Sequence, residues 1–132
     1  MTAEDLLYAK SHEWVGVETD SAGAKVATVG LSAFALEALT DLVFMELPEV
    51  GREVNAEQPF GEVESVKAVS DLVSPVSGEI VEVNADIADN LEKMAEDPYG
   101  AGWLIKVKLA DESALANLMD YTAYQKQCAE EA

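Results

Sequence analysis

Only one cysteine, one histidine and eight basic residues occur among the 132 positions of this chain. Each scarcity excludes something. With Cys128 alone there is no intrachain disulfide and no thiolate metal cluster, and a reducing compartment is expected. With His12 alone, a histidine-based triad has nothing but scattered serines to support it, and dispersed carboxylates lack metal-ligand spacing, so His12 reads as a structural residue beside Trp14. Glycine-rich phosphate motifs are absent. The formal net charge of −18 argues against nucleic acid or an anionic membrane as partner, because either needs a basic patch. It suits steered docking to basic grooves on other proteins, as well as simple solubility. No apolar run is long enough to span a bilayer, and Met1 to Lys10, with Glu4 and Asp5, has no stretch of signal-peptide length. The length fits a single domain over residues 1–132, with a core at about 8–110 and C-terminal helices at about 111–129.

What is present is a lysine with unusual surroundings. Lys67 is the sole basic residue between Arg52 and Lys93, in a segment that reads almost the same both ways: Glu64-Ser65-Val66-Lys67-Ala68-Val69-Ser70-Asp71. That symmetry predicts a hairpin pairing Val66 with Val69, Ser65 with Ser70, and Glu64 near Asp71. The turn would then be Lys67-Ala68, although two-residue turns favour residues that accept positive φ. Such a misfit is expected at functional positions. On spacing alone a solubilising surface lysine fits equally well.

The rest of the chain alternates short β-prone runs with turn signals. Trp14 to Val17 and Lys25 to Val29 form a predicted hairpin through Asp20-Ser21-Ala22-Gly23. Ser32 is placed to cap a short helix ending at Leu39, with Ala35, Leu36 and Leu39 as its apolar side. Leu42 to Leu47 reads as a buried strand ended by Pro48, Phe60 to Val66 and Val69 to Val73 as the lysine hairpin, and Glu79 to Val83 as a half-buried strand. Asn84 to Met94 is polar and partly helical. Trp103, Ile105, Val107 and Leu109 share one face of a predicted strand. Leu115, Leu118 and Met119, then Tyr121, Tyr124 and Cys128, form two stripes at helical spacing. Without βαβ alternation, a small β-sandwich or flattened barrel with peripheral helices is expected.

The sequence from Glu64 to Ala68, with Ser70-Asp71 and Ser74-Pro75-Val76-Ser77-Gly78-Glu79, resembles the lipoylation segment of glycine cleavage system H proteins. Ser11-His12-Glu13-Trp14-Val15, Glu46-Leu47-Pro48-Glu49-Val50-Gly51, Asp97-Pro98-Tyr99-Gly100 and Gly102-Trp103-Leu104-Ile105-Lys106 agree with that family in order and spacing. The resemblance spans about Tyr8 to Tyr124. It implies a mainly β, barrel-sandwich hybrid fold of antiparallel strands with short peripheral helices and a helical C-terminus, as in lipoyl and biotinyl carriers. It also implies a carrier rather than an enzyme, with lipoate joined by an amide to Lys67. That arm would shuttle the aminomethyl group of glycine between glycine dehydrogenase (decarboxylating), aminomethyltransferase and dihydrolipoamide dehydrogenase, after loading by lipoate-attaching enzymes. The family's arm rests near positions matching Ser11, Glu13 and Asp71, and Leu31 is expected to supply an apolar wall. Ser32-Ala33-Phe34-Ala35-Leu36 and Ala38 depart from the more polar residues of many relatives, which weakens any role borrowed for that helix. A bacterial cytoplasmic location is expected ahead of the mitochondrial matrix. A biotin carrier is disfavoured by Val66 and Ala68 beside the lysine, and a 2-oxoacid dehydrogenase lipoyl domain by the want of Asp-Lys-Ala. A lipoyl donor serving other complexes and an unmodified interaction module remain as alternatives.

Overall fold

A computed structural model of the chain describes residues 3–39, 41–110 and 112–131. Asp111, at the head of the predicted C-terminal helical region, falls outside the described residues, as do the two ends of the 1–132 span.

A 3₁₀ turn at Ala3–Asp5 precedes β1 (Leu7–Tyr8), β2 (Glu13–Thr19) and β3 (Lys25–Leu31). Then come α1 (Ala33–Leu39), β4 (Leu42–Glu46), β5 (Glu53–Val54), β6 (Pro59–Ser65), β7 (Val69–Val73) and β8 (Gly78–Val83). The short helices α2 (Ala85–Asp89) and α3 (Leu91–Glu96), strand β9 (Ile105–Leu109), a 3₁₀ turn at Ser113–Asn117 and α4 (Tyr121–Glu131) complete the chain. All pairings are antiparallel, in a six-stranded sheet of order β1-β2-β3-β9-β8-β5 and a three-stranded sheet of order β4-β6-β7. Inward-facing residues of the two sheets meet: Val15, Val29 and Val107 from the larger join Phe60, Val63 and Leu72 from the smaller in one buried cluster, with a register shift in β6 between Pro59 and Gly61. This is the expected mainly β architecture with peripheral helices.

Local chemistry accounts for the joints. Asp20 Oδ1 accepts the N–H groups of Ala22 and Ala24, both at 2.9 Å, and Gly23 takes φ 86°, which closes the β2–β3 hairpin. Ser32 Oγ accepts the Ala35 N–H at 3.2 Å and caps α1 as its position predicts. Gly30 pairs with Trp14, and a Cβ there would lie 2.5 Å from the indole, so only glycine lets the ring lie across β3. The indole N–H then reaches the Pro98 carbonyl at 2.9 Å, and the Tyr99 hydroxyl accepts the Ala33 N–H at 3.0 Å. A second cluster of Leu6, Tyr8, Trp14, Tyr124 and Cys128 lies under α4. Tyr8 and Met119 exchange backbone hydrogen bonds of 2.7 and 2.8 Å, which covers the free edge of β1.

Four details depart from the sequence expectations. Leu42 to Leu47 is not a buried strand: β4 is an edge strand with a bulge between Leu42 and Phe44, which leaves Val43 57% and Phe44 49% exposed and only Met45 buried. The lysine hairpin pairs Glu64 with Val69, Val63 with Ser70 and Glu62 with Asp71, which moves the turn one residue back, to Val66-Lys67. Trp103 precedes β9 rather than joining it. Its N–H bonds Gly100 O at 3.2 Å and its carbonyl accepts the Asn84 side-chain N–H at 2.8 Å, so a turn and a side chain take the place of the ladder. Of the two C-terminal stripes, Tyr121 to Cys128 lies on α4, whereas Leu115 belongs to the 3₁₀ turn and Leu118 and Met119 follow it. Asp120 Oδ1 accepts the Ala123 N–H at 2.8 Å and starts α4 afresh.

Candidate functional site

The lysine hairpin is braced by a serine. Ser65 Oγ accepts the N–H groups of Lys67 at 3.2 Å and Ala68 at 3.1 Å, while Ser65 N–H donates to Ala68 O at 2.8 Å. A side-chain oxygen thus does what a backbone carbonyl does in an ordinary two-residue turn. The only non-glycine residues with positive φ among the described residues are His12 and Glu57, so the turn meets no left-handed requirement and the supposed misfit disappears. Val66 N–H donates to Asp41 O at 3.0 Å, fixing the tip to the start of β4. Lys67 is exposed, and the Ser65 that braces its turn is buried.

Below the hairpin lies a cavity of about 200 Å³. Ser11, Glu13, Leu31 and Asp71, the four expected pocket residues, all line it. Ala35, Leu39, Val63 and Leu72 supply most of the remaining wall, and Ser70 and Asp71 reach it from the strand that leaves the lysine tip. At a rise of about 3.3 Å per residue, Asp71 stands roughly 13 Å along the strand from Lys67. The lysine side chain alone does not cover that span. A lysine extended by a lipoyl chain does, and a largely hydrocarbon arm suits this apolar wall with a carboxylate edge, once acylation has removed the ammonium charge. Among the described residues no group of three His, Cys, Asp or Glu side chains is placed to hold a metal ion, and no helix is long and apolar enough to cross a membrane.

Glu13 and Asp71 differ sharply. Asp71 is exposed, whereas Glu13 is 1% exposed. One Glu13 oxygen accepts the Ser11 hydroxyl, and the other accepts the Val73 N–H at 3.3 Å. Burial pushes the Glu13 carboxyl up to about 7, against the opposing pull of those two hydrogen bonds. It is therefore close to half-protonated near neutrality.

His12 also borders the cavity, which its sequence position gives no reason to expect. The β1–β2 loop is closed by Ala9 N–H to Glu13 O and His12 N–H to Ala9 O, both 2.9 Å, with His12 at φ 78°. That left-handed residue turns the chain so that Ser11 and Glu13 meet the same cavity. His12 Nδ1 lies 2.7 Å from the Tyr124 hydroxyl and Nε2 3.2 Å from Glu131 Oε1, and the ring stacks on Phe34. The same Tyr124 hydroxyl is 2.5 Å from Ser32 Oγ, so α4 ties together both segments that wall the cavity. Replacing Tyr124 with Phe leaves His12 and the buried Ser32 each one partner short. The expected loss is about 1–3 kcal/mol of unfolding free energy in urea titrations. An unchanged midpoint would show that the strut carries no load.

A two-sheet sandwich that presents one braced lysine on a hairpin above a cavity is the barrel-sandwich hybrid of lysine-linked carriers. Residues 6–131 match the family model described as "Glycine cleavage H-protein", and the chain belongs to that family. It is 55% identical to the glycine cleavage system H protein of Rhodopirellula baltica over 125 residues, covering 95% of this chain and 93% of the other. The corresponding protein of Thermotoga maritima is 48% identical over 124 residues, with 94% and 96% covered. The crystal structure of a glycine cleavage system H protein from Mycobacterium marinum superposes with a TM-score of 0.86 at 43% identity, covering 97% of this chain and 99% of the other.

Proposed function

We propose that this chain is the lipoyl-bearing carrier of the glycine cleavage system, loaded through an amide at Lys67. The observation that carries the reading is the convergence of Ser11, Glu13, Leu31 and Asp71 in one cavity beneath Lys67, the one lysine among the described residues placed on a hairpin tip. Lipoate, when attached, supplies the dithiolane that accepts the aminomethyl group of glycine. The protein's own residues do the rest. Leu31, Leu39 and Val63 give the arm an apolar surface that shields one side of it from water. Glu13, held by Ser11 and Val73, and Asp71, at the cavity's open edge, offer carboxylates to an ammonium brought in on the arm.

The partners on this reading are glycine dehydrogenase (decarboxylating), aminomethyltransferase, dihydrolipoamide dehydrogenase and a lipoate-attaching enzyme. Bacterial relatives support a cytoplasmic location. Protein produced with a lipoate source should carry one lipoyl group, and peptide mapping should place it on Lys67. A chain that stays unmodified beside a working lipoate-attaching enzyme would sink the reading in favour of an interaction module.

The two carboxylates have a separate test. Glu13→Gln and Asp71→Asn are expected to accept lipoate at the parent rate. Once loaded with the glycine-derived group, they should release ammonia roughly ten- to a hundredfold faster in the absence of any partner enzyme, the loss of one charge-assisted hydrogen bond of about 1.5–3 kcal/mol. Release at the parent rate would return both acids to other duties.

A further inference from the structure

The outer face of the three-stranded sheet carries a pattern that, Asp71 apart, shelter of the arm does not use. Among the described residues the exposed large hydrophobic side chains are Val43, Phe44, Val50, Val66 and Val69. Four of these five gather at the lysine end of one small sheet. Val66 and Val69 flank the Lys67 tip, and Phe44, Glu64 and Val69 stand opposite one another across β4, β6 and β7. The bulge at Val43 puts two successive apolar side chains in solvent, where a regular strand would have turned one of them inward.

One step further from the tip, Glu46, Glu62 and Asp71 form a cross-strand row of three carboxylates. Like charges directly opposite each other cost stability. Arg52 lines the same depression, yet none of the three acids forms an ion pair among the described residues. An exposed apolar patch bordered by uncompensated acids is complementary to an apolar seat rimmed by Arg or Lys.

We propose that this face is where the lipoate-attaching enzyme docks, with Phe44 and Val43 as the apolar anchor and the paired Glu46 and Glu62 as the charged register. The choice among partners follows from reach. The unmodified lysine side chain is short, so an enzyme that acylates its amine has to close over the hairpin tip and cover Val66, Val69 and the neighbouring Phe44. Enzymes that meet the loaded arm work at the far end of a long tether and have no such need. In the step itself the neutral Lys67 Nζ attacks the acyl carbon of an activated lipoate, the amide bond forms, the bond to the activating group breaks, and the amine gives up a proton to solvent. The proposal rests on lipoylation at Lys67 and adds the surface that brings it about.

The test uses the full, unmodified chain with a purified lipoate-attaching enzyme. Phe44→Ser and Val43→Thr alter exposed side chains and should keep the parent melting curve. Both are expected to weaken binding of the unmodified chain and to lower kcat/KM for lipoyl transfer about tenfold, mostly through KM. Acetylation of Lys67 by a small activated ester should proceed at the parent rate. The Glu46→Gln, Glu62→Gln double variant should bind more weakly and lose much of its salt dependence. Parent-level lipoylation of Phe44→Ser would overturn the proposal, as would a parallel fall in acetylation by the small ester, which would place the effect in the lysine itself. Normal lipoylation of Phe44→Ser with slow transfer to aminomethyltransferase would also overturn it, assigning the face to a later partner. Absence of lipoyl on the parent chain is a different result, which ends the carrier reading before any variant is made.

Discussion

Lys67→Arg should abolish lipoyl attachment completely while leaving the fold and its stability unchanged within about 0.5 kcal/mol. The side chain is exposed, and the turn that presents it is held by backbone N–H groups bonding Ser65 Oγ, which arginine retains. Positive charge at the tip is also preserved, so an enzyme that recognises the hairpin by charge still meets it. What is lost is a nucleophilic amine, because a guanidinium keeps its proton under all accessible conditions. Intact mass after expression with lipoate should show the unmodified chain alone, and unfolding in urea should superpose on the parent curve. Six other lysines remain in the chain, at positions 10, 25, 93, 106, 108 and 126, and none of them lies on the tip of the β6–β7 hairpin. A lipoyl group persisting on any one of them would show that selection is by exposure of an amine rather than by the braced turn. Ser65→Ala offers a graded comparison, since it keeps the amine and removes the brace; its lipoylation should slow without vanishing.

The parts of this site that were legible in the sequence are those fixed by local chemistry. The near-palindrome around Lys67 locates the hairpin, whereas Ser11, Glu13, Leu31 and Asp71 are expected beside it only from the family resemblance, since no local pattern brings those segments together. The register escaped by one residue because side-chain alternation alone permits several centres of a symmetric segment. What decided it was Ser65, whose hydroxyl closes the turn, and a serine two positions before a tip carries that information only when turn closure by side chains is considered. The exposure of Phe44 had no local signal at all. Val43-Phe44-Met45 is a continuous apolar run, and such runs read as buried strands until a bulge on an edge strand turns two of them outward. The meeting of Tyr124 with His12 and Ser32 was equally hidden. It depends on how α4 packs across β1 and β2, and no spacing along the chain reports on that.

The buried carboxyl of Glu13 should make the protein's stability fall as pH rises between about 4.5 and 7, a result opposite to that of a salt-bridged acid. Below about 4.5 the group is protonated in both folded and unfolded chains and contributes no difference. Between 4.5 and 7 the unfolded chain releases the proton that the folded chain still holds, and each pH unit lowers the unfolding free energy. Above 7 both forms are charged and the loss levels off. A shift from 4.5 to about 7 corresponds to roughly 3 kcal/mol. Glu13→Gln mimics the protonated acid and cannot titrate. Relative to the parent it should therefore gain about 3 kcal/mol between pH 4 and pH 8, read as the change in the difference of unfolding free energies from urea titrations at the two values. Other acidic groups contribute the same background to both chains and cancel in that difference. An offset between parent and variant that stays constant with pH would mean that Glu13 titrates alike in the folded and unfolded chains, so that burial does not raise it. The cost has a functional reading. On the proposed carrier reading, a cation brought into the cavity beside this carboxyl, hydrogen-bonded by Ser11 and Val73, would pull its pKa back down and favour the ionised form, so the titration of Glu13 would move with occupancy of the cavity.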